Sequence, residues 1–268
     1  LRYCFLDSGH HLGAIEASAY VRDRDLEIIF DFDKLALNRD LGFENKEFVT
    51  ACAISGEIKE KAVRKLRDPI PFVCGTDYFE PNFFIEEGYK NTTLVISDRQ
   101  EIQTPQFQFN KERWLESILN RRSIRKFKKS DICQLDFSKI LQILQEPIAT
   151  KSHEDIEIYS LVNRVEGIET GLYKNEQLIR AGDLSEKASY LCINQAIARD
   201  SGVTLFFVSD YQNYQTAVQL AGFIGQRLYL VSEYLGLSCS GIGAYYDDET
   251  QEFLGTEKDV IYAMAIGI

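Results

Sequence analysis

Residues 121–129 read Arg121-Arg122-Ser123-Ile124-Arg125-Lys126-Phe127-Lys128-Lys129: six cations and one hydroxyl within nine residues. The chain around them is acidic, with 30 Lys and Arg against 41 Asp and Glu and a formal net charge of −11. That balance argues against a general nucleic-acid binder, which needs a basic footprint. It leaves room for a local phosphate cradle, where guanidinium forks take two oxygens and a hydroxyl or amide takes a third. The stretch lies where a predicted helix, KERWLESILNRRS, gives way to a loop. Cations also suit the negative end of a helix dipole, so a solvated helix end is the alternative reading of the same charges.

Working outward, the following residues read as a mixed α+β unit. SDICQLDFSKILQILQEP is a helix started by Asp131 and stopped by Pro147, with Leu135, Phe137, Ile140, Leu141 and Leu144 as its apolar set. IEIYSLVNR alternates and predicts a strand, with a hairpin tip expected at Tyr173-Lys174-Asn175. SEKASYLCINQAIARDSG predicts one helix closed by Gly202, and VTLFFVSD and VIYAMAIG predict buried strands. TAVQLAGFIGQRLYLVSEYLGLS is the longest helix and apolar nearly all round, the mark of a central or interface position. Asp247, Asp248 and Glu249 read as the acidic first turn of a helix, and Tyr245 and Tyr246 as packing or substrate-lining residues.

The chain also echoes itself. Gly9 to Gly56 and Gly222 to Gly267 each predict a helix, a strand or extended turn, a Leu-Gly pair (Gly42, Gly255) and an apolar strand ending in Gly. In the first copy the helix is expected from Gly9 to about Val21 and the strand at Leu26–Phe32, with His10 and His11 as cap and interface residues. The expected organisation is 1–56 as the C-terminal half of a first domain, 57–110 as a connection rich in turn signals, and 111–268 as a fuller second domain. The two glycine- and alanine-bearing helices, with Gly9, Gly13, Ala14 and Ala17 on one and Ala217, Ala221, Gly222 and Gly225 on the other, are expected to pack closely, against each other or against twins in a second chain.

Arg121-x-Ser123-x-Arg125 between two helices resembles the flavin-phosphate signature of the nitroreductase-like FMN flavoproteins. IEIYSLVNRVEGIETGLYKNEQLIRAG, SYLCINQAIARDSGVTLFFVSD and AGFIGQRLYLVSEYLGLSCSGIGAYYDDETQEFLG follow in the order of the SagB-type members of that family. The resemblance covers about residues 111–267, and the family's C-terminal half is similar to residues 8–56. It implies an α+β, nitroreductase-like FMN-binding fold: an antiparallel-rich mixed sheet flanked by helices, with a long central interface helix. It implies that Arg121, Ser123 and Arg125 hold the FMN phosphate and ribityl chain and that the Arg122 backbone lies at the isoalloxazine. It places Ser240, Gly241, Ile242 and Gly243 past flavin N5, where a backbone N–H donor serves and glycine permits close approach. For the oxidation of a peptide azoline to an azole, the activity of that group, Lys174 is the candidate base, Tyr173 its relay and His153 a substrate-side acid or base. The alternatives are a catalytically silent scaffold or peptide-binding partner, and a general NAD(P)H-dependent nitroreductase. The expected partners are a small-molecule or peptide substrate and a second nitroreductase-like half, as homodimer or pseudo-dimer, with no nucleic acid and no membrane.

The remaining signals are quieter. Cys4, Cys52, Cys74, Cys133, Cys192 and Cys239 form no CxxC pair and read as free thiols of a cytoplasmic protein. The three histidines, His10, His11 and His153, have no zinc-like spacing to a second ligand. No apolar run reaches the roughly 18 residues of a membrane span, and the first twenty residues lack a signal-peptide pattern.

Overall fold

Two apolar runs make the centre of the sheet. β6 (Val203–Ser209) is buried at every residue and β8 (Asp259–Gly267) at all but its first, as strands covered on both faces should be. The computed structural model describes residues 1–43, 47–56, 66–71, 78, 80–93 and 100–268. In these the main sheet has six strands in the order β5-β4-β3-β6-β8-β7, where β3 is Glu157–Val162, β4 Gly171–Lys174, β5 Gln177–Ala181 and β7 Ser238–Ile242. Every ladder among the described residues is antiparallel, and parallel pairing is confined to isolated bridges. Helices flank it: α4 (Lys111–Asn120), α5 (Gln134–Gln145), α6 (Ser185–Leu191), α7 (Ala196–Asp200), α8 (Tyr214–Leu235) and α9 (Asp247–Leu254). The α+β, antiparallel-rich expectation holds.

The internal echo is present as architecture. α1 (Arg2–Val21), β1 (Leu26–Ile29), α2 (Lys34–Asp40) and β2 (Cys52–Ser55) repeat the order α8, β7, α9, β8, and β1 pairs with β2 antiparallel as β7 does with β8. Each pair takes an extended segment along its edge. Ile124 N–H donates to the Cys239 carbonyl at 3.2 Å, and Ile28 N–H to the Ala149 carbonyl at 2.7 Å.

Several expectations need correction. α1 begins seven residues before Gly9, so His10 and His11 lie inside the helix and cap nothing. The single helix predicted over SEKASYLCINQAIARDSG is broken into α6 and α7 by Ile193 and Asn194, both at φ 55°, the left-handed region a helix cannot cross. α5 is capped at Cys133, because Ile132 is taken into a bridge with Val165. The predicted connection contains α3 (Phe83–Thr92), capped by the Asn82 side chain accepting from Ile85 N–H. Cys74 and residues 57–65, 72–77 and 94–99 of that connection lie outside the described residues. No helix among the described residues is long and apolar enough to cross a membrane.

The contact that organises the rest is α1 against α8. A Cβ at Gly9 would overlap the Gln219 carbonyl oxygen, and a Cβ at Gly222 the Leu6 carbonyl oxygen. The two contacts are reciprocal: Gly9 to Gly222 and Leu6 to Gln219 are both offsets of 213 residues, the pattern of an isologous two-fold interface inside one chain. Gly13 continues the seam against Phe223 and Gln226. Partner numbers climb together, so the helices run in the same direction. Further along, Glu16 and Arg227, 5% and 1% exposed, close a bidentate ion pair at 2.5 and 2.7 Å. Arg227 also donates to the Glu146 and Pro147 carbonyls, so four of its five N–H groups are paired in the interior. Gly225, expected in the same seam, instead makes room for the Tyr262 and His10 rings and the Met264 sulfur.

Gly9→Val and Gly222→Val should each lower the unfolding free energy by about 3 kcal/mol or more, because a carbonyl of a packed helix cannot step aside as a side-chain tip can. Gly236→Ala should cost roughly 1–2 kcal/mol: its φ is 78°, but nothing lies within 4 Å of the added methyl. Denaturant midpoints of the three variants check both statements.

Candidate active site

Where α4 ends, the chain becomes a strand edge. α4 is capped at its start by Asn110, whose side chain accepts from Arg113 N–H at 2.9 Å, and Arg121 leaves the helix in an extended conformation with φ −47° and ψ 130°. Arg122 folds back so that its guanidinium donates to the Leu119 and Arg121 carbonyls, which the helix end leaves free. Ser123 then forms a parallel bridge with Cys239 on β7, the outermost strand. Gly241 N–H also points away from β8, towards α8.

These edges meet α1 across a cavity of about 460 Å³ lined by Arg121, Ser123, Gly241 and Gly243 on one side and by Asp7, His10 and His11 on the other. Glycine brings the backbone close to two tyrosines, at Gly241 on β7 and at Gly243 just after it. A Cβ at Gly241 would overlap the Tyr262 hydroxyl, and one at Gly243 the Tyr3 ring. Two tyrosines organise the polar groups. The Tyr229 hydroxyl accepts from Gly241 N–H at 2.6 Å and shares a hydrogen bond of 2.9 Å with Ser123 Oγ, while the Arg121 guanidinium stands 5.0 Å above the Tyr229 ring centroid. His10 bridges to the second. Its Nδ1 lies 3.2 Å from Gln226 Oε1 and its Nε2 2.9 Å from the Tyr262 hydroxyl. Gln226 Oε1 can only accept, so the network assigns the proton to Nδ1 and makes Nε2 the acceptor of the Tyr262 O–H. Burial holds His10 down to about 4 against the opposing pull of Gln226 and Asp7, and Arg121 and His11 push the same way as burial. Burial raises the Tyr262 phenol well above its ordinary value.

Of the residues singled out in the sequence, Arg121, Ser123, Gly241 and Gly243 are brought together here. Arg122 serves its helix end, and Arg125 is exposed and not among the lining residues. Ser240 and Ile242 point through the sheet: Ile242 packs in the core with Phe127 and Tyr245, and Ser240 is fully buried. The three proposed acid–base residues lie elsewhere. Lys174 ends β4, four strands from β7 and next to the edge strand β5, where Glu157 at 2.8 Å raises its pKa. The desolvation that would make it a neutral base is therefore replaced by an ion pair that keeps it charged. Tyr173 donates to the Glu169 carbonyl and lines a different cavity beside α5, and His153 lines a third, with Leu220 and Ile224. Tyr245 packs, donating to the Val260 carbonyl. Sequence reasoning missed His10 as a cavity residue, along with Tyr229, Tyr262 and Gln226. The offset that pairs Gly9 with Gly222 was the available signal, since it sets α1 residues opposite known α8 residues.

Comparison with known proteins adds the following. The family model described as "Nitroreductase family" matches residues 118–268. "Putative nitroreductase MJ1384" of Methanocaldococcus jannaschii is 26% identical over 198 residues, which cover 64% of this chain and 98% of that one. A crystal structure of a "putative nitroreductase" from Anabaena variabilis superposes with a TM-score of 0.78 at 23% identity over 99% of this chain, which establishes the likeness of fold. This chain spans 64% of that protein's length.

The buried imidazole has a measurable signature. An unfolded His10 titrates near 6.5 and the folded one at about 4, so between those values the unfolded chain binds the extra proton. The stability that comes with the neutral imidazole is complete above pH 6.5 and is lost as pH falls towards 4. Unfolding free energy should drop by roughly 3 kcal/mol more in the wild type than in His10→Gln over that range, as read from denaturation at a series of pH values.

Proposed function

The chain belongs to the nitroreductase family, and on that premise we propose that it is an FMN-dependent oxidoreductase whose flavin site is the cavity between β7 and α1. The observation that carries the reading is the convergence of Arg121, Ser123, Gly241 and Gly243, far apart in sequence, on one space of about 460 Å³, a size within the usual range for cofactor sites. The donor set fits the group. A guanidinium and a hydroxyl stand ready for phosphate oxygens, and Gly241 and Gly243 put bare backbone on the cavity wall. When bound, FMN supplies hydride exchange at its N5. The chain's own part is to hold the phosphate with Arg121 and Ser123, to bring the backbone of Gly241–Gly243 close to the group, and to exclude water on one side with α1. Arg125 stands as a second phosphate ligand only in the proposal, being exposed. The substrate is a small-molecule or peptide electron donor or acceptor. The narrower SagB-type reading, azoline oxidation, is supported by the order of segments in residues 111–267 and not by the position of Lys174 and Tyr173. Homodimeric assembly is part of the proposal, as is the division into residues 1–56, 57–110 and 111–268.

One observation favours a silent member of the family. Tyr229 already engages Ser123 Oγ and Gly241 N–H, so two of the donors are occupied from inside. Titration of FMN by fluorescence quenching separates the two readings. The wild type should saturate, and Arg121→Ala should weaken binding about 10–100-fold, the worth of a charge-assisted contact. Ser123→Ala should cost about fivefold, and Arg125→Ala less than Arg121→Ala. A wild type that never saturates, alongside a Tyr229→Phe variant that does, would establish the silent reading.

A further inference from the structure

In flavin-dependent redox chemistry one hydrogen moves as hydride and another as a proton, and the protein must handle the proton. Several groups face the cavity, and most are disqualified by their surroundings. The Arg121 guanidinium has donors only and no acceptor. The Tyr229 hydroxyl is held between Ser123 and Gly241. Tyr3, Asp7 and His11 are exposed to solvent. Tyr262 differs: it is 5% exposed, its hydroxyl stands directly against the Gly241 backbone, and a nitrogen acceptor lies behind it at 2.9 Å. We infer that Tyr262 is the proton-exchanging residue of this cavity, with His10 as its reservoir and Gln226 as the group that fixes the His10 tautomer. The inference rests on the oxidoreductase reading above.

The two-fold relation between α1 and α8 supports it independently. At the offset of 213 residues, Asp7, His10 and His11 correspond to Leu220, Phe223 and Ile224. Leu220 and Phe223 pack in an apolar cluster with Leu12, Ile28 and Phe30. A phenylalanine therefore packs well at the His10 level of the partner helix. The chain nonetheless places a half-buried imidazole on α1, on the side of Gly241 and Gly243. Burying polar groups is costly unless they are paired, and here each of the three has a partner placed for it. Gln226 Oε1 accepts from His10 Nδ1–H, His10 Nε2 accepts from Tyr262 O–H, and Tyr262 itself lines the cavity.

The step balances as proton transfer alone. A substrate X–H bond breaks, its electron pair stays on X, and its proton forms an O–H bond at Tyr262 as the phenol's own proton passes to His10 Nε2. The resulting imidazolium keeps Nδ1–H on Gln226, with the Asp7 carboxylate favouring the charge and Arg121 and His11 opposing it. Run backwards, the same path delivers a proton to a reduced substrate. Tyr262 is catalytic on this reading, and His10 and Gln226 are positioning residues.

Two measurements test it. In protein labelled with 15N-histidine, His10 should show a protonated Nδ1 and an unprotonated Nε2 that shifts in Tyr262→Phe. A proton found on Nε2 would mean that His10 donates to Tyr262, leaves no acceptor behind the phenol and overturns the inference without reference to flavin. In FMN-loaded protein, with NADPH as donor and nitrofurazone as acceptor, Tyr262→Phe should bind FMN within about threefold of wild type and lower turnover about 10²–10³-fold. His10→Gln should keep FMN and flatten the acidic limb of the pH profile. A Tyr262→Phe enzyme within threefold of the wild-type rate, with that limb intact, overturns the relay while leaving the flavin reading standing. Should Tyr262→Phe fail to fold, His10→Gln alone decides, since an unchanged acidic limb in that variant also overturns it. A wild type that binds no FMN defeats the oxidoreductase reading, and the relay with it.

Discussion

Everything in this molecule is hung on the close approach of two helices at two glycines. With Gly9 against the Gln219 carbonyl and Gly222 against the Leu6 carbonyl, α1 and α8 come together at backbone distance rather than side-chain distance. That proximity brings His10 within reach of Gln226 and Tyr262, which belong to the other helix and to β8. It also aligns Glu16 with Arg227 deep in the interior. A seam held apart by even one methyl layer would leave Arg227 buried with no carboxylate, a far larger penalty than the loss of a surface pair. The ion pair and the glycines therefore support one another: the glycines permit the distance, and the pair fixes the register along the helix axes.

The two sides of this seam are built from the same plan and filled differently. On one, β7 and the residue after it offer Gly241 and Gly243, α1 offers polar side chains, and a cavity results. On the other, β1 and the residue after it offer Ile28 and Phe30, 1% and 0% exposed, and α8 offers Leu220 and Phe223. The second side is apolar where these four residues meet, and beside them Leu220 and Ile224 line the cavity that holds His153. Its edge is also closed by the 147–152 segment, where Ile28 bridges to Thr150 just as Cys239 bridges to Ser123.

How much of this could be read from the sequence depended on whether the signal was local. VTLFFVSD and VIYAMAIG became β6 and β8 because strands covered on both faces carry an unbroken apolar run. Arg121 and Ser123 were legible through charge and spacing. The start of α1 was not, since a glycine inside a helix looks like a boundary until the neighbouring helix that requires it is known. The break at Ile193 and Asn194 was hidden for a similar reason: nothing in either side chain asks for a positive φ. Lys174 was placed by resemblance, and the strand order that puts β4 two strands from β6 is a non-local fact. Tyr229, Tyr262 and His10 sit at positions that read as ordinary helix or strand residues, and only the seam turns them towards one another.

The reciprocal glycine contacts have a genetic consequence. In a symmetric homodimer a single codon specifies both sides of the two-fold, so a change that improves one cavity is imposed on the other. Here α1 and α8 are encoded separately, 213 residues apart. The two sides can drift independently so long as Gly9 and Gly222 are kept. Histidine opposite phenylalanine, and glycine opposite isoleucine, are states that an exact dimer could not reach by one substitution at a time.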